Sequence, residues 1–366
     1  MMRLWWAQIK SVVRLEMRKT FFAKRGLWIY VLALLPIVLF VGHAIVDAHL
    51  RDRSAEIVAQ EEKPLTDQDL LAIKVGMTRQ EVVALLGKAP IHLAWKERRP
   101  SGENSFVDVP QENYHYSDGT NDLYVGLSDG VVTNIYLQEG YRLGEDSVTF
   151  ASVFQFFYLR LAIFFGCLGI FMNLFRGEIL DRSLHFYFLA PIRREVLMVG
   201  KFLAGLLATC VIFMTSELLQ IIAFTWHFSP NMRDLYLYHN HGLEDAVAYL
   251  GITALACFGY GAFFLAAGML FRNPILPAGV ILVWEAVNPF LPTLLKKFSV
   301  IYYLKSLCPV EIPTPPGMPP LLALLVSNSD PVSAPVAVLG VVIVGLLAIY
   351  VSSVQVRRME INYTSE

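Results

Sequence analysis

Hydrophobic and polar positions in this chain come mostly in long blocks. Apolar runs occupy 26–46, 151–175, 196–226, 246–271, 275–295 and 335–353. At about 1.5 Å per helical residue, ~20 residues cross the ~30 Å hydrocarbon core of a bilayer. The pattern predicts an all-α membrane protein with about six transmembrane helices. Pro36 falls inside the first run, where a membrane helix tolerates it. The run at 275–295 is the most interrupted, by Pro277, Pro289 and Pro292.

Ahead of the first run the period shortens to that of a surface helix. Trp5, Trp6, Ile9, Val12, Val13, Met17 and Phe21 recur every three or four residues. Arg3, Lys10, Arg14, Arg18 and Lys24 lie mostly elsewhere around the wheel. Residues 1–25 therefore predict a basic amphipathic helix lying in the membrane interface. An ordinary soluble helix is the alternative, and the apolar run that follows directly argues against it. That run, 26–48, starts only at Leu27 and has no small-residue cleavage site after it, so it is expected to be retained as the first span. No lipid-attachment cysteine lies near the start.

Between the first and second runs, residues 49–149 read as a small water-soluble α+β domain. Thr78 and Glu81 form a capping box that opens a short helix through Val82, Val83, Leu85 and Leu86. Gly87 suits its C-cap and Pro90 blocks continuation. Strand-like pieces IHLAW, ENYHY, DLYVGL and VVTNIYL follow, the last two joined by Asp129-Gly130, a strong hairpin signal. Residues 150–353 hold spans two to six, and 354–366 form a tail.

Composition supports the membrane reading. The chain is 55% hydrophobic and 17% charged, with a mean hydropathy of +0.50; soluble domains carry about 25% charged residues. The net charge of −1 gives no electrostatic case for nucleic acid. Cys167, Cys210 and Cys257 fall in apolar runs as small hydrophobes, and with Cys308 they make no disulfide framework. Lysine and arginine collect at 3–25, at 176–201, at Arg272 and at Arg357-Arg358, which places both termini in the cytoplasm by the positive-inside rule. The opposite side has Arg233 in its short loop and Lys296, Lys297 and Lys305 in its longer one. Residues 50–148 then lie outside, with a net charge of −7. Long loops translocate largely regardless of charge.

Catalytic motifs are missing. LMVGKFLAG, 197–205, lacks the upstream glycine and the Ser or Thr of a phosphate-binding loop, so no ATP hydrolysis is expected of this chain. HExxH, GxSxG and CxxC do not occur. His239-Asn240-His241, with His227, could suggest a metal site but reads better as a solvated loop. Inside the runs, Arg160, Glu217, Glu285 and Asn288 are costly polar groups, at least ~2.5–3.5 kcal/mol for a central charge. They predict either a polar substrate path or interhelical pairs, for example Arg160 with Glu217. The small residues Gly200 and Ala204 suit close helix packing.

The segment FRGEILDRSLHFYFLAPIRREVLMVGK, 175–201, carries the most content: charges at both ends, apolar residues between, and a helix break at Pro191. From the residues alone it is either an amphipathic element that receives force from a partner or an ordinary basic loop. Glu178, Asp181-Arg182-Ser183-Leu184, Ala190-Pro191-Ile192-Arg193-Arg194 and Gly200-Lys201 resemble the second and third spans of type-2 ABC exporter permeases. The resemblance covers most of 1–48 and 150–356. It implies about six spans behind a basic interfacial helix, and short re-entrant helices in 298–334. It implies a coupling loop at 176–195 that docks on a separate ATPase subunit, with Glu178, Asp181, Arg182, Leu184, Pro191, Arg193 and Arg194 as coupling residues. It also implies a second permease subunit, identical or related, and no cofactor in this chain, ATP and Mg belonging to the partner. The bacterial plasma membrane is the expected location. The insert departs from the many members that have a short loop there. Its GMT-x-x-EV-x-x-LLG-x-x-P string, from Gly76 to Pro90, and terminal hairpin resemble the SmpA/OmlA fold of outer-membrane assembly lipoproteins, which implies an envelope protein as a binding partner. Two rival readings stand beside transport: a membrane anchor whose outer domain recruits envelope proteins, and a membrane-embedded enzyme using Glu217 or Glu285.

Overall fold

The computed structural model describes residues 2–22, 26–61, 63–102, 105–118, 121–138, 143–180, 192–226, 228, 230–271, 275–313 and 331–358. Two compact units emerge: Met1–Val41 with Glu145–Glu366, and Gly42–Gly144. Helix α1 spans Met2–Phe22 and α2 spans Leu27–Gln60. The first apolar run thus forms a helix that continues past residue 48. Apolarity ends near Val46, but no helix-breaking residue follows until Pro64.

The inserted unit contains α3 (Asp67–Leu71) and α4 (Arg79–Leu86), then four strands, β1 (Ile91–Gly102), β2 (Ser105–Ser117), β3 (Asp122–Ser128) and β4 (Val131–Gln138). They form one antiparallel meander in the order β1-β2-β3-β4. The predicted capping box is present: Glu81 N donates to Thr78 Oγ1, and Thr78 N donates to Glu81 Oε2 at 2.7 Å. Gly87 closes α4 at φ +83°, a conformation that favours glycine. Val82 and Leu86 pack with Tyr114, Tyr116, Val125 and Leu127 in the core between helix and sheet. Tyr116 Oη donates to Gly87 O at 3.1 Å, tying the helix end to the central strand. Hairpin β1–β2 reaches farther than the predicted pieces, pairing out to Gly102 and Ser105.

The helical unit resumes with α5 (Leu143–Ser152), a π-helical stretch over Val153–Ile163, and α6 (Phe164–Leu180). It continues through α7 (Arg194–Trp226), α8 (Pro230–Asp234), α9 (Gly242–Leu270), α10 (Ile275–Val287), α11 (Thr293–Lys296), α12 (Val300–Ser306) and α13 (Ala334–Arg358). Among the described residues, five helices are long and apolar enough to cross a bilayer: Leu27–Val46, Asp146–Phe175, Arg194–Trp226, Gly242–Leu270 and Ala334–Arg357. The sixth expected span is the exception. The run at 275–295 yields α10, of 13 residues, about 20 Å long against a ~30 Å core. Asn288–Phe290 then turns as a 3-10 helix and Pro292 caps α11. Pro289 and Pro292 lack the amide hydrogen that a continuing helix needs. Helix α9 packs against α6, α7 and α13. Gly268 sits where an added Cβ would meet the Met172 backbone at 3.2 Å, so α9 and α6 approach closely. All four cysteines are free.

Candidate functional site

Three charged residues, on α1, α6 and α7, are buried rather than solvated. Lys201 is 0% exposed, Glu16 3% and Glu178 7%. The Lys201 ammonium donates to Glu16 Oε1 at 2.8 Å and to the Leu174 carbonyl at 2.9 Å. It also stands 2.8 Å from Glu178 Oε2. Lys19 closes the cluster, donating to Glu178 Oε1 at 3.0 Å. Two hydrogen bonds and an ion pair with the second carboxylate thus surround the ammonium, which is what burial of such a charge requires. The cluster joins three elements: α1 through Glu16 and Lys19, α6 through Leu174 and Glu178, and α7 through Lys201. The expected close packing at Gly200 is present. An added Cβ there would stand 2.9 Å from Val12 Cγ1, so glycine lets α1 lie against α7.

The flanks of 176–195 are anchored as well. Arg193 lies 5.2 Å above the Trp5 ring, a cation–π contact with α1. Glu195 pairs with Arg357 at 2.5 Å, and Arg194 donates to the Arg357 carbonyl at 3.2 Å, joining α7 to the end of α13. Of the predicted coupling residues, Glu178, Arg193 and Arg194 are therefore brought to a meeting point of α1, α6, α7 and α13. Asp181, Arg182, Leu184 and Pro191 lie outside the described residues. Glu178 faces inward, not toward solvent. Sequence reasoning missed Glu16, and its signal was available. It is the lone acidic residue of 1–25 and sits four residues after Val12, on the apolar face.

Within the bundle, the four polar candidates separate. Glu285 is engaged: its carboxylate accepts from Ser299 Oγ at 2.7 Å, Val300 N at 3.0 Å and Ile301 N at 2.9 Å. It caps the N-terminus of α12, whose free amides and positive dipole end suit a carboxylate. Asn288 donates to the Lys296 carbonyl at 3.4 Å. Arg160 lies 5.3 Å over the Phe156 ring, and its Nε has no hydrogen-bond partner among the described residues. Glu217 is 0% exposed, and neither of its carboxyl oxygens has a partner among the described residues. The expected pairing of Arg160 with Glu217 is not formed.

Among the described residues no group of histidine, cysteine or acidic side chains is arranged to hold a metal ion. His227 lies outside the described residues, and His241 Nδ1 is 3.0 Å from Glu244 in an exposed turn. No family model matches the chain. No curated protein and no solved structure matches it either.

Proposed function

We propose that this chain is the membrane subunit of an ABC export system, in which a separate ATPase subunit supplies the energy. The observation that carries this reading is the buried cluster of Glu16, Glu178 and Lys201, with the half-exposed Lys19 at its edge. It ties both flanks of 181–191 to an amphipathic N-terminal helix and to the first turns of a long apolar helix. Force applied to the segment 176–195 would reach α1 and α7 together, because breaking a buried pair costs about 3–5 kcal/mol and the elements move as one. In this reading both termini face the cytoplasm of a bacterium, the inserted unit faces outward, and two permease subunits form the pathway. Short α10 and its turn would cross or re-enter the membrane to complete the even count. ATP and Mg would be held by the partner.

The test uses the assembled complex with a fluorophore at the outer end of α7. ATP is expected to change its emission in the native assembly. Glu16→Gln is expected to leave hydrolysis intact and abolish most of that change. An unchanged signal in Glu16→Gln removes the coupling role.

The anchor reading has one observation of its own. Leu93, Trp95 and Tyr136 are 61%, 52% and 53% exposed on the sheet. They alternate away from the core face that carries Tyr114 and Tyr116. Exposed apolar residues on one sheet face suit recruitment of an envelope protein. Purification of the chain with envelope proteins and without an ATPase would favour this reading.

A further inference from the structure

Glu217 is the polar candidate with neither side-chain oxygen partnered among the described residues. It lies on α7 about 24 Å beyond Lys201, sixteen residues at ~1.5 Å each. Two hydroxyls on the neighbouring α9, Tyr249 Oη and Thr253 Oγ1, are likewise buried without a hydrogen-bond partner among the described residues. Tyr158 Oη donates to the Phe213 carbonyl, one helical turn before Glu217 on α7. The Tyr158 and Tyr249 rings flank Phe154, at centroid distances of 5.9 and 4.6 Å. Glu217 on α7 and the Tyr249 hydroxyl on α9 therefore stand at one group of aromatic rings, with Thr253 one turn along α9 from Tyr249.

We infer that Glu217, with Tyr249, Thr253 and the rings of Phe154 and Tyr158, forms a binding site for a monovalent organic cation. Giving up its proton as the cation binds, the Glu217 carboxyl supplies the one full charge, the hydroxyls supply neutral acceptors, and the aromatic faces favour a poorly hydrated cation. A divalent metal is a poor match, since such ions take several charged or carbonyl oxygens. The Arg160 guanidinium does not occupy the position, because it lies over the Phe156 ring and both Glu217 oxygens are without a partner among the described residues. With Glu217 fully buried, entry of the ligand requires α7 and α9 to part. As a substrate contact the site rests on the transport reading; as a binding site it does not.

The test measures binding of tetraphenylphosphonium and of tetraphenylborate, ions of matched shape and opposite charge, to the full chain in lipid nanodiscs without an ATPase. The native chain is expected to bind the cation saturably. Glu217→Gln, nearly isosteric, is expected to weaken cation binding at least tenfold and leave the anion unchanged. Glu217→Asp, which keeps the charge, is expected to bind more tightly than Glu217→Gln. No saturable cation binding by the native chain overturns the inference. So does equal cation binding by native and Glu217→Gln chains, or parallel loss of both ions. Stimulation of hydrolysis in the assembled complex is read separately, so a failure of the site and a failure of the transport reading are distinguishable.

Discussion

Lys201 shows how a residue that reads as a positive-inside charge acquires a different role through burial. Its ammonium is enclosed by Glu16, Glu178 and the Leu174 carbonyl. Removing the buried cation leaves two buried carboxylates side by side with only the half-exposed Lys19 near them, so Lys201→Met is expected to destabilise the chain by about 3–5 kcal/mol. Replacing the whole cluster is a different operation. A Glu16→Gln, Glu178→Gln, Lys201→Met variant leaves no unpaired buried charge and is expected to recover most of that loss. Thermal unfolding of the three proteins in detergent checks both statements. If the single variant unfolds at the native temperature, the cluster is not the tight buried contact described. Glu285 makes a parallel case. Glu285→Ala removes the acceptor for the Val300 and Ile301 amides and is expected to cost about 1–3 kcal/mol. Faster hydrogen exchange over 300–306, with little change elsewhere, is the signature.

Elements were legible where local chemistry decides them. Helix α4 was readable because Thr78, Glu81, Gly87 and Pro90 all act within a few residues of one another. The neighbouring α3 has the same reciprocal box, Thr66 with Asp69, but aspartate replaces the glutamate or glutamine of the usual signature. The far part of hairpin β1–β2 lacks alternation through Lys96-Glu97-Arg98-Arg99-Pro100, so only backbone pairing with Phe106–Pro110 reveals it. Capping also sets a pH response. Hydrogen bonds from Thr78 N and its hydroxyl hold the Glu81 carboxyl below the ordinary carboxylate range. A depressed value means that its stabilisation is present at neutral pH and is lost as pH falls through that lowered value. Burial pushes Glu61 the other way, so its contribution is present in acid and lost as pH rises through the raised value. Hydrogen exchange at 79–86, corrected for intrinsic rates, is expected to speed up on acidification below about 4.3. Glu81→Gln is expected to flatten that dependence.

At the scale of the molecule, apolar blocks predicted the helices well, because length and hydropathy are properties of each segment alone. The run at 275–295 gives a helix of 13 residues, because Pro289 and Pro292 interrupt it, and the first span, Leu27–Val46, is part of a longer helix because a helix does not end where apolarity ends. The ion cluster was not legible, because Glu16, Glu178 and Lys201 are far apart in sequence and only packing unites them. Gly200 is where packing can be attacked without touching a charge. Gly200→Leu would drive a branched side chain into Val12, and crowding of this kind costs about 1–3 kcal/mol. Protease cleavage within residues 3–19 in intact membranes is expected to increase. The proposed export function requires association with a motor. The direct measurement is ATP hydrolysis by the full-length chain purified in mild detergent from its own cells. An ATPase subunit is expected to accompany the native chain and hydrolyse ATP, and Arg182→Glu is expected to lose that subunit while still inserting into the membrane. A native chain that inserts, survives purification and carries no nucleotide-hydrolysing partner would contradict that function.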